Sequence, residues 1–122
     1  YTDTGVNTIA GCINTTLDNL QSIIPAVIVG VVAPTPWATT QPVRNSNAYN
    51  YVEMLKEICE HRSIPFLDLW RHSNLRPWDA DFRALVYSKD GEQGAGGTHP
   101  NELGHKILAP KFETFLDSLL IH

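Results

Sequence analysis

The chain has 122 residues, of which 43% are hydrophobic and 18% are charged, and its formal net charge is -4. This length allows one small domain, and the composition is typical of neither a disordered tail nor a membrane protein. The acidic balance argues against a nucleic-acid-binding protein, which normally carries a basic surface, and against attachment to an anionic membrane. Two cysteines, Cys12 and Cys59, are too few for a disulfide-built fold. We expect both to pack as small core residues, and the alternative is a disulfide bridge or a reactive thiol.

The first predicted elements are a helix and a strand. Apolar residues recur every three or four positions over 6–24, which predicts an amphipathic helix that begins near Asp3 or Thr4 and ends at Pro25. The run over 26–33 is apolar and rich in β-branched residues without alternation. Such a run is typical of a strand that is buried on both faces of a parallel sheet.

A second helix and a second strand follow a polar loop over 38–47. Apolar residues on one side of 51–59 predict the helix, and residues 66–69 predict the short strand. A strand, a helix and a strand joined by short connections form one βαβ unit, in which the two strands are parallel. The sequence therefore predicts an α/β protein with a parallel sheet.

The last third of the chain contains an irregular region and a final helix. Residues 70–98 lack a periodic pattern and include a glycine-rich stretch over 91–97, and a loop of this length in a small domain is usually functional. Residues 101–120 predict a helix that Asn101 caps. Because proline lacks the backbone N–H, we expect Pro110 to kink this helix or to split it.

Two strands are few for a parallel sheet. An apolar strand such as the one predicted over 26–33 belongs in the middle of a sheet, because an unpaired apolar edge promotes aggregation. We therefore expect further strands to come from another chain or from a preceding segment of the same domain.

His99 is the first candidate for a catalytic group. In open parallel sheets, ligands bind at the carboxyl ends of the strands, and here those ends are the loops that begin at Pro34 and Trp70. The second loop leads directly into residues 97–101, so His99 lies between a flexible loop and the start of a helix. A histidine there could act as a general base, and the alternative is a loop residue that only caps the helix.

The residues around His99 also resemble a known family. The segment over 97–106, Gly-Thr-His-Pro-Asn-Glu-Leu-Gly-His-Lys, resembles the last conserved block of the SGNH (GDSL-type) serine hydrolases, whose pattern is Asp-x-x-His-Pro before the final helix. Residues 27–37 resemble the fourth strand of that fold with its loop, and residues 64–70 resemble the fifth strand. The resemblance implies a three-layer α/β fold of the flavodoxin-like type. It implies that residues 1–122 are the C-terminal portion of one such domain, with two strands and three main helices, and that the N-terminal nucleophile half is absent.

The resemblance also implies a reaction. In that family a serine on the first strand attacks an ester carbonyl, and the histidine of the last block, which His99 matches, removes its proton. The chain would then belong to a hydrolase of acetyl or short acyl esters, with carbohydrate-linked esters among its candidate substrates and with no metal or organic cofactor. We expect the chain alone to be inert, because none of its serines matches a family block: Ser22, Ser46, Ser63, Ser73, Ser88 and Ser118.

One position departs from the family pattern. Gly96 stands three residues before His99, where the family has the aspartate that orients the imidazole. In Ser-His-Asp enzymes, loss of that acid lowers turnover by a factor of about 10^4. Three explanations stay open: Asp90 folds back and supplies the carboxylate, a backbone carbonyl orients His99 in a Ser-His dyad, or the protein is a binding-only relative or has an altered sequence.

Tryptophans and histidines complete the candidate site. Trp37, Trp70 and Trp78 fall at or after the predicted strand ends and could line a cleft for a sugar or an acyl group, and we expect Trp37 to contact the substrate. His99 and His105 lack a third ligand at a recognised spacing, which argues against a metal site.

The expected partners are the N-terminal half of the domain, or another chain that completes the sheet, and an ester or glycan substrate. The alternative function is a non-catalytic module of the same fold that binds carbohydrate or protein. Residues 75–78 and the His-Pro-Asn string also resemble hydrolase domains of bacteria and of phage structural proteins. This looser resemblance suggests a bacterial or phage origin and a secreted or virion-associated protein.

Overall fold

A computed structural model of the chain describes residues 2–5, 7–37, 46–88 and 99–120. Within these residues the elements, in chain order, are α1 (Ile9–Ile23), β1 (Val31–Val32), α2 (Ser46–His61), β2 (Phe66–Leu67), α3 (Leu69–His72), α4 (Ala80–Val86) and α5 (Glu102–Leu120). The two strands are parallel neighbours, with Val31 opposite Phe66 and Val32 opposite Leu67. The predicted α/β class and the parallel strand pair are therefore confirmed. No helix in the described ranges is both long and apolar enough to span a bilayer.

Strand β1 is much shorter than its apolar run. The prediction of a strand over 26–33 is wrong in extent, because only Val31–Val32 form a strand. The Val31 N–H donates to the Pro65 carbonyl at 3.0 Å, and the Ala33 N–H donates to the Leu67 carbonyl at 2.9 Å. A strand with one partner can pair only along the length of that partner, so β1 ends where β2 ends.

Strand β2 ends early because helix α3 begins two residues after it in the sequence. The predicted strand over 66–69 stops at its second residue, since the Asp68 carboxylate accepts a hydrogen bond from the Arg71 N–H and caps α3. The prediction that 70–98 is wholly irregular is also wrong, because α4 and all but the first residue of α3 lie within it. Asp79 caps α4 in the same way. Two local caps that the apolar periodicity does not reveal therefore divide this region.

The first helix begins later than predicted. The residue that caps it is Thr8, whose hydroxyl accepts a hydrogen bond from the Gly11 N–H. Asp3 does not cap the helix itself, because its carboxylate accepts from the Thr8 hydroxyl at 2.6 Å and from the Gly5 N–H at 2.7 Å. These two hydrogen bonds, that from Thr8 above all, lower the pKa of Asp3. The predicted start near Asp3 or Thr4 is therefore corrected to Thr8.

The last helix is continuous. Helix α5 has 19 residues and contains Pro110, so the prediction that this proline splits the helix is wrong. Pro110 lies on the exposed side, where water can bond the carbonyl that loses its helical partner. Glu102 and Lys106 form an ion pair one turn apart at 2.9 Å near the start of the helix.

Helices lie on both faces of the strand pair. On one face, buried residues of α1 and α2 pack against Val31 and Phe66. On the other face, α5 crosses so closely to Gly30 that a Cβ there would lie 2.8 Å from the Leu119 Cδ1 and 2.9 Å from the Phe115 Cζ. Glycine at position 30 therefore sets the distance between helix and strand.

Several apolar residues in and before β1 and along α5 are exposed in the described part of the chain. We call these residues the open side: Ile28, Val32, Phe112, Leu116 and Leu120. Ile28 is 58% exposed and Val32 is 36% exposed, so the expectation that the strand predicted over 26–33 is buried on both faces is not met by the described residues. Of the two cysteines, Cys59 is buried as predicted, whereas Cys12 is exposed because it lies on the solvent side of α1.

Candidate active site

His99 lies in the short segment that leads into α5, and its side chain is exposed. Two backbone hydrogen bonds hold this segment against the end of α4: the Ser88 N–H donates to the His99 carbonyl at 3.0 Å, and the Asn101 N–H donates to the Val86 carbonyl at 2.8 Å. The imidazole is therefore open to solvent, while the backbone that carries it is fixed.

Tyr87 connects this segment to the carboxyl end of β1. Its backbone forms an antiparallel bridge with Pro100, and its hydroxyl lies 3.5 Å from the carbonyl oxygen of Pro36, in the loop after β1. The side chain is 1% exposed, and burial raises the pKa of Tyr87 to about 12. Tyr87 thus links the segment that carries His99 to the loop after β1.

Asn101 and Gly104 account for part of the motif that follows the histidine. The Asn101 Oδ1 accepts from the Gly104 N–H at 3.1 Å, which confirms the predicted cap, and its Nδ2 donates to the carbonyls of Leu85 and Tyr87 at 2.8 and 3.3 Å. A Cβ at Gly104 would lie 2.7 Å from the Val86 carbonyl oxygen. Both residues therefore fix the approach of α5 to α4, a double role that sequence periodicity does not reveal.

The three tryptophans differ in their exposure. Trp37 is 36% exposed, and its ring meets Trp70 edge to face, with centroids 4.8 Å apart. Trp70 is 1% exposed, so the prediction that it lines a cleft is wrong. Its indole Nε1 has no hydrogen-bond partner among the described residues. Trp78 is half-buried. Trp37 is thus the ring of this pair that a ligand can reach.

Asp68 is a carboxylate at the carboxyl end of β2, but both of its oxygens contact Arg71: one accepts from the backbone N–H and the other pairs with the guanidinium. Arg71 forms ion pairs with Asp68 at 2.7 Å and with Glu53 at 2.5 Å. Burial disfavours the charged guanidinium, but the hydrogen bond to Glu53 and the charges of both carboxylates outweigh it and raise the pKa of Arg71. This cluster ties α3 to α2 and leaves Asp68 without a catalytic role.

The residues predicted to orient His99 lie outside the described part of the chain. Asp90, Gly96 and the glycine-rich stretch over 91–97 lie outside the described residues, so the carboxylate predicted from Asp90 stays a prediction. Across the described ranges, no hydroxyl or carboxylate is hydrogen-bonded to the His99 ring. The described residues also contain no group of three or more His, Cys, Asp or Glu side chains that could hold a metal ion.

A groove of about 510 Å³ lies elsewhere, beside the middle of α5. Leu67, His72, Lys111 and Phe115 are among its lining residues, and His99 is not. Among the described residues, the groove is therefore a feature distinct from the candidate catalytic histidine.

Comparisons with known proteins identify the fold but no activity. No family model and no curated protein matches the chain. Its structure is similar to a crystal structure of a protein from Lactobacillus plantarum, with a TM-score of 0.76 and 22% identity over 97% of this chain and 57% of that chain. A second crystal structure gives a TM-score of 0.74 and 17% identity over 95% of this chain and 54% of that chain. The chain thus spans little more than half the length of either protein, and at these identities the likeness establishes a shared α/β fold.

Proposed function

We propose that the chain is the C-terminal part of a serine ester hydrolase of the SGNH type, in which His99 is the general base. The observation that carries this proposal is an exposed imidazole on a backbone that hydrogen bonds hold against the end of α4, in a segment that Tyr87 links to the loop after β1. A general base must reach the proton that it removes and must be held in one place while doing so. The exposure of the His99 ring and the hydrogen bonds of its backbone are in keeping with both needs.

The proposed reaction uses the imidazole twice. The neutral ring accepts the proton of a serine hydroxyl as its oxygen attacks the ester carbonyl, and the resulting imidazolium returns that proton to the departing alcohol. Water then hydrolyses the acyl-serine with the same ring as base. The serine is proposed to come from the N-terminal half of the domain.

The open side supports a partner that continues the sheet beyond β1. Each residue advances an α-helix by about 100°, so consecutive residues of α5 face in different directions. Phe115 and Leu119 face Gly30, the residue before β1, whereas Thr114 and Ser118 line the groove beside Leu67 of β2.

Leu116 and Leu120 each follow one position after Phe115 and Leu119. The helix turn therefore places them on the side opposite Thr114 and Ser118, away from the groove and beyond β1. They are 54% and 64% exposed. An apolar stripe that overhangs the outer edge of a strand fits a further strand beneath it. The greater length of the two similar structures is in keeping with an additional part of the domain at that edge.

Trp37 points to the class of substrate. Its exposed ring is held by the edge-to-face contact with Trp70, and a rigid aromatic surface suits contact with a sugar ring or an acyl chain. We therefore include carbohydrate-linked acetyl esters among the proposed substrates. The same ring, together with Gly96 in place of the family aspartate, favours the second candidate, a non-catalytic carbohydrate-binding module.

The test uses the full-length protein with p-nitrophenyl acetate as substrate. We expect His99→Ala to lower kcat by a factor of about 10^3 or more, and the matched control His105→Ala, an exposed histidine on the first turns of α5, to keep activity. Labelling with a fluorophosphonate followed by peptide mass analysis should locate the modified serine outside residues 1–122.

Two results would reject the proposal. Activity that survives His99→Ala would remove this residue from the mechanism. An inactive wild-type protein that binds acetylated glycans, and that loses binding in Trp37→Ala, would establish the module instead.

A further inference from the structure

The groove beside the middle of α5 combines apolar surface with basic side chains. Leu67, Pro110 and Phe115 supply the apolar surface, and His72 and Lys111 are the basic residues that line it. No acidic side chain of the described residues lines the groove, although the chain as a whole has a net charge of -4. The groove is therefore a local exception to the acidic balance of the protein, and its charge complements an anion.

The apolar surface of the groove is held in place by the fold. Leu67 packs against the core cluster that contains Leu69 and Leu108, and Phe115 lies against Gly30. A surface of this kind exists before a ligand arrives, so binding requires little rearrangement of it. The volume of about 510 Å³ also suits a small-molecule site, for which roughly 300–1,000 Å³ is typical.

Lys111 differs from the other two lysines that the structure describes. Lys56 and Lys106 each form an ion pair with a glutamate one turn away on the same helix. Lys111 has Ile107 and Phe115 at the equivalent positions, and it forms no ion pair within the described ranges. It is half-buried in a lining that is largely apolar. An ammonium group in such surroundings gains more from a carboxylate partner than an exposed one does.

His72 borders the same groove from α3 and adds a second basic group. From this combination we propose that the groove binds a medium-chain fatty acid. Its carboxylate lies at Lys111 and His72, and its alkyl chain lies on Leu67 and Phe115. The proposal concerns binding alone and does not rest on the proposed function of His99.

The length and polarity of the groove favour an aliphatic chain over an acidic peptide. Its α5 residues run from Pro110 to Ser118, eight steps of about 1.5 Å, or about 12 Å in all. An extended chain advances about 1.2 Å per bond, so about eight to ten carbons match that length. A peptide would need hydrogen-bond partners for its backbone over the same distance. Besides the two basic residues, the described lining offers the hydroxyls of Thr114 and Ser118, and the Ser118 hydroxyl donates to the Phe115 carbonyl.

The test measures binding to the full-length protein by isothermal titration calorimetry. Octanoate is the probe, 1-octanol is its uncharged analogue, and acetate is the carboxylate without a chain; octanoate should bind more tightly than either. Lys111→Met keeps an unbranched apolar side chain and removes the charge. It should therefore weaken octanoate binding about tenfold or more and leave 1-octanol binding nearly unchanged. The matched control is Lys106→Met on the same helix, whose lysine pairs with Glu102 outside the groove and which should keep the wild-type affinity.

A second variant fills the groove. Thr114 is exposed and lines the groove, so Thr114→Phe should remove octanoate binding without disturbing the core, and an unchanged urea unfolding curve verifies the latter. His99→Ala should leave the octanoate affinity unchanged. Loss of binding in that variant would place the ligand at the candidate active site and overturn the proposal.

Other results would overturn it as well. Equal affinities for octanoate and 1-octanol would show a merely apolar surface, and equal affinities for octanoate and acetate would show a merely ionic one. Octanoate binding that survives Thr114→Phe would place the ligand elsewhere. Tighter binding of an oligoglutamate peptide, or a dimer in solution that Thr114→Phe dissociates, would assign the groove to another occupant.

Discussion

Apolar residues around the two strands have two different surroundings. In the core clusters, which contact both strands, Val52, Ile58 and Trp70 are each at most 1% exposed. On the open side, Ile28 and Leu116 are more than half exposed, although they are no less apolar. The comparison shows that an apolar sequence marks a surface that must be covered but does not say which segment covers it.

The backbone shows the same asymmetry. The N–H groups of Val31 and Ala33 point to β2. Because direction alternates along a strand, the backbone N–H and C=O of Val32 point to the outer edge. A free strand edge of this kind accepts a further strand readily. The open side therefore combines apolar side chains with backbone groups suited to sheet extension.

The largest expected loss of stability is at Trp70, and its contact partner Trp37 provides the comparison. Trp70→Ala should lower the free energy of unfolding by about 3–5 kcal/mol, because it leaves a large cavity in the closed core. Trp37→Ala should lower it by about 1 kcal/mol or less, because much of that ring is already exposed. Urea unfolding of the full-length protein measures both values, and equal losses would contradict the division into closed and exposed rings.

The next prediction tests whether the open side is covered in the full-length protein. If the proposed N-terminal half of the domain packs there, Leu116→Ala should lower the free energy of unfolding by about 2–3 kcal/mol despite the exposure seen in this chain. The matched control is Leu85→Ala on α4, which is 67% exposed and lies away from the open side, with an expected change within about 0.5 kcal/mol. Equal, small changes in the two variants would mean that the open side faces solvent.

A smaller effect is expected at the connection between α4 and α5. Asn101→Ala removes the cap on Gly104 and both donated hydrogen bonds, and should cost about 1–2 kcal/mol of unfolding free energy. Asn101→Asp keeps the cap acceptor and loses only the donors, so its loss should be smaller. Thermal or urea unfolding ranks the three proteins, and an Asp variant that is less stable than the Ala variant would argue against the cap as the main contribution.

The smallest effect concerns alkaline pH. Burial raises the pKa of Tyr87 from about 10 to about 12, so the folded state favours the neutral phenol. The associated stability is present in full below pH 10 and is lost as the pH rises from 10 towards 12. A spectrophotometric titration of phenolate should show a late step that Tyr87→Phe removes and Tyr49→Phe retains. A late step that persists in Tyr87→Phe would exclude Tyr87 as its source.

Local features were predictable where they depend on neighbours in sequence. The body of α2, the Asn101 cap and the parallel βαβ unit follow from apolar periodicity and from side chains that bond their own backbone. The same patterns failed for the extent of β1, because a strand needs a partner that lies far away in sequence. His99 was found from its position and its motif, but the pairing of its segment with the end of α4 depends on the Tyr87–Pro100 bridge, which joins residues distant in sequence.

The sequence by itself determined the α/β class, the order of the main elements and the choice of His99 as candidate base, since these follow from spacing and residue type along the chain. Only the tertiary structure decided that Trp70 is buried while Trp37 is exposed, that Cys59 is inside while Cys12 is outside, and that, within the described residues, β1 pairs along one edge. Burial is a property of how distant segments meet, and two residues of the same chemical type become different when only one of them is covered.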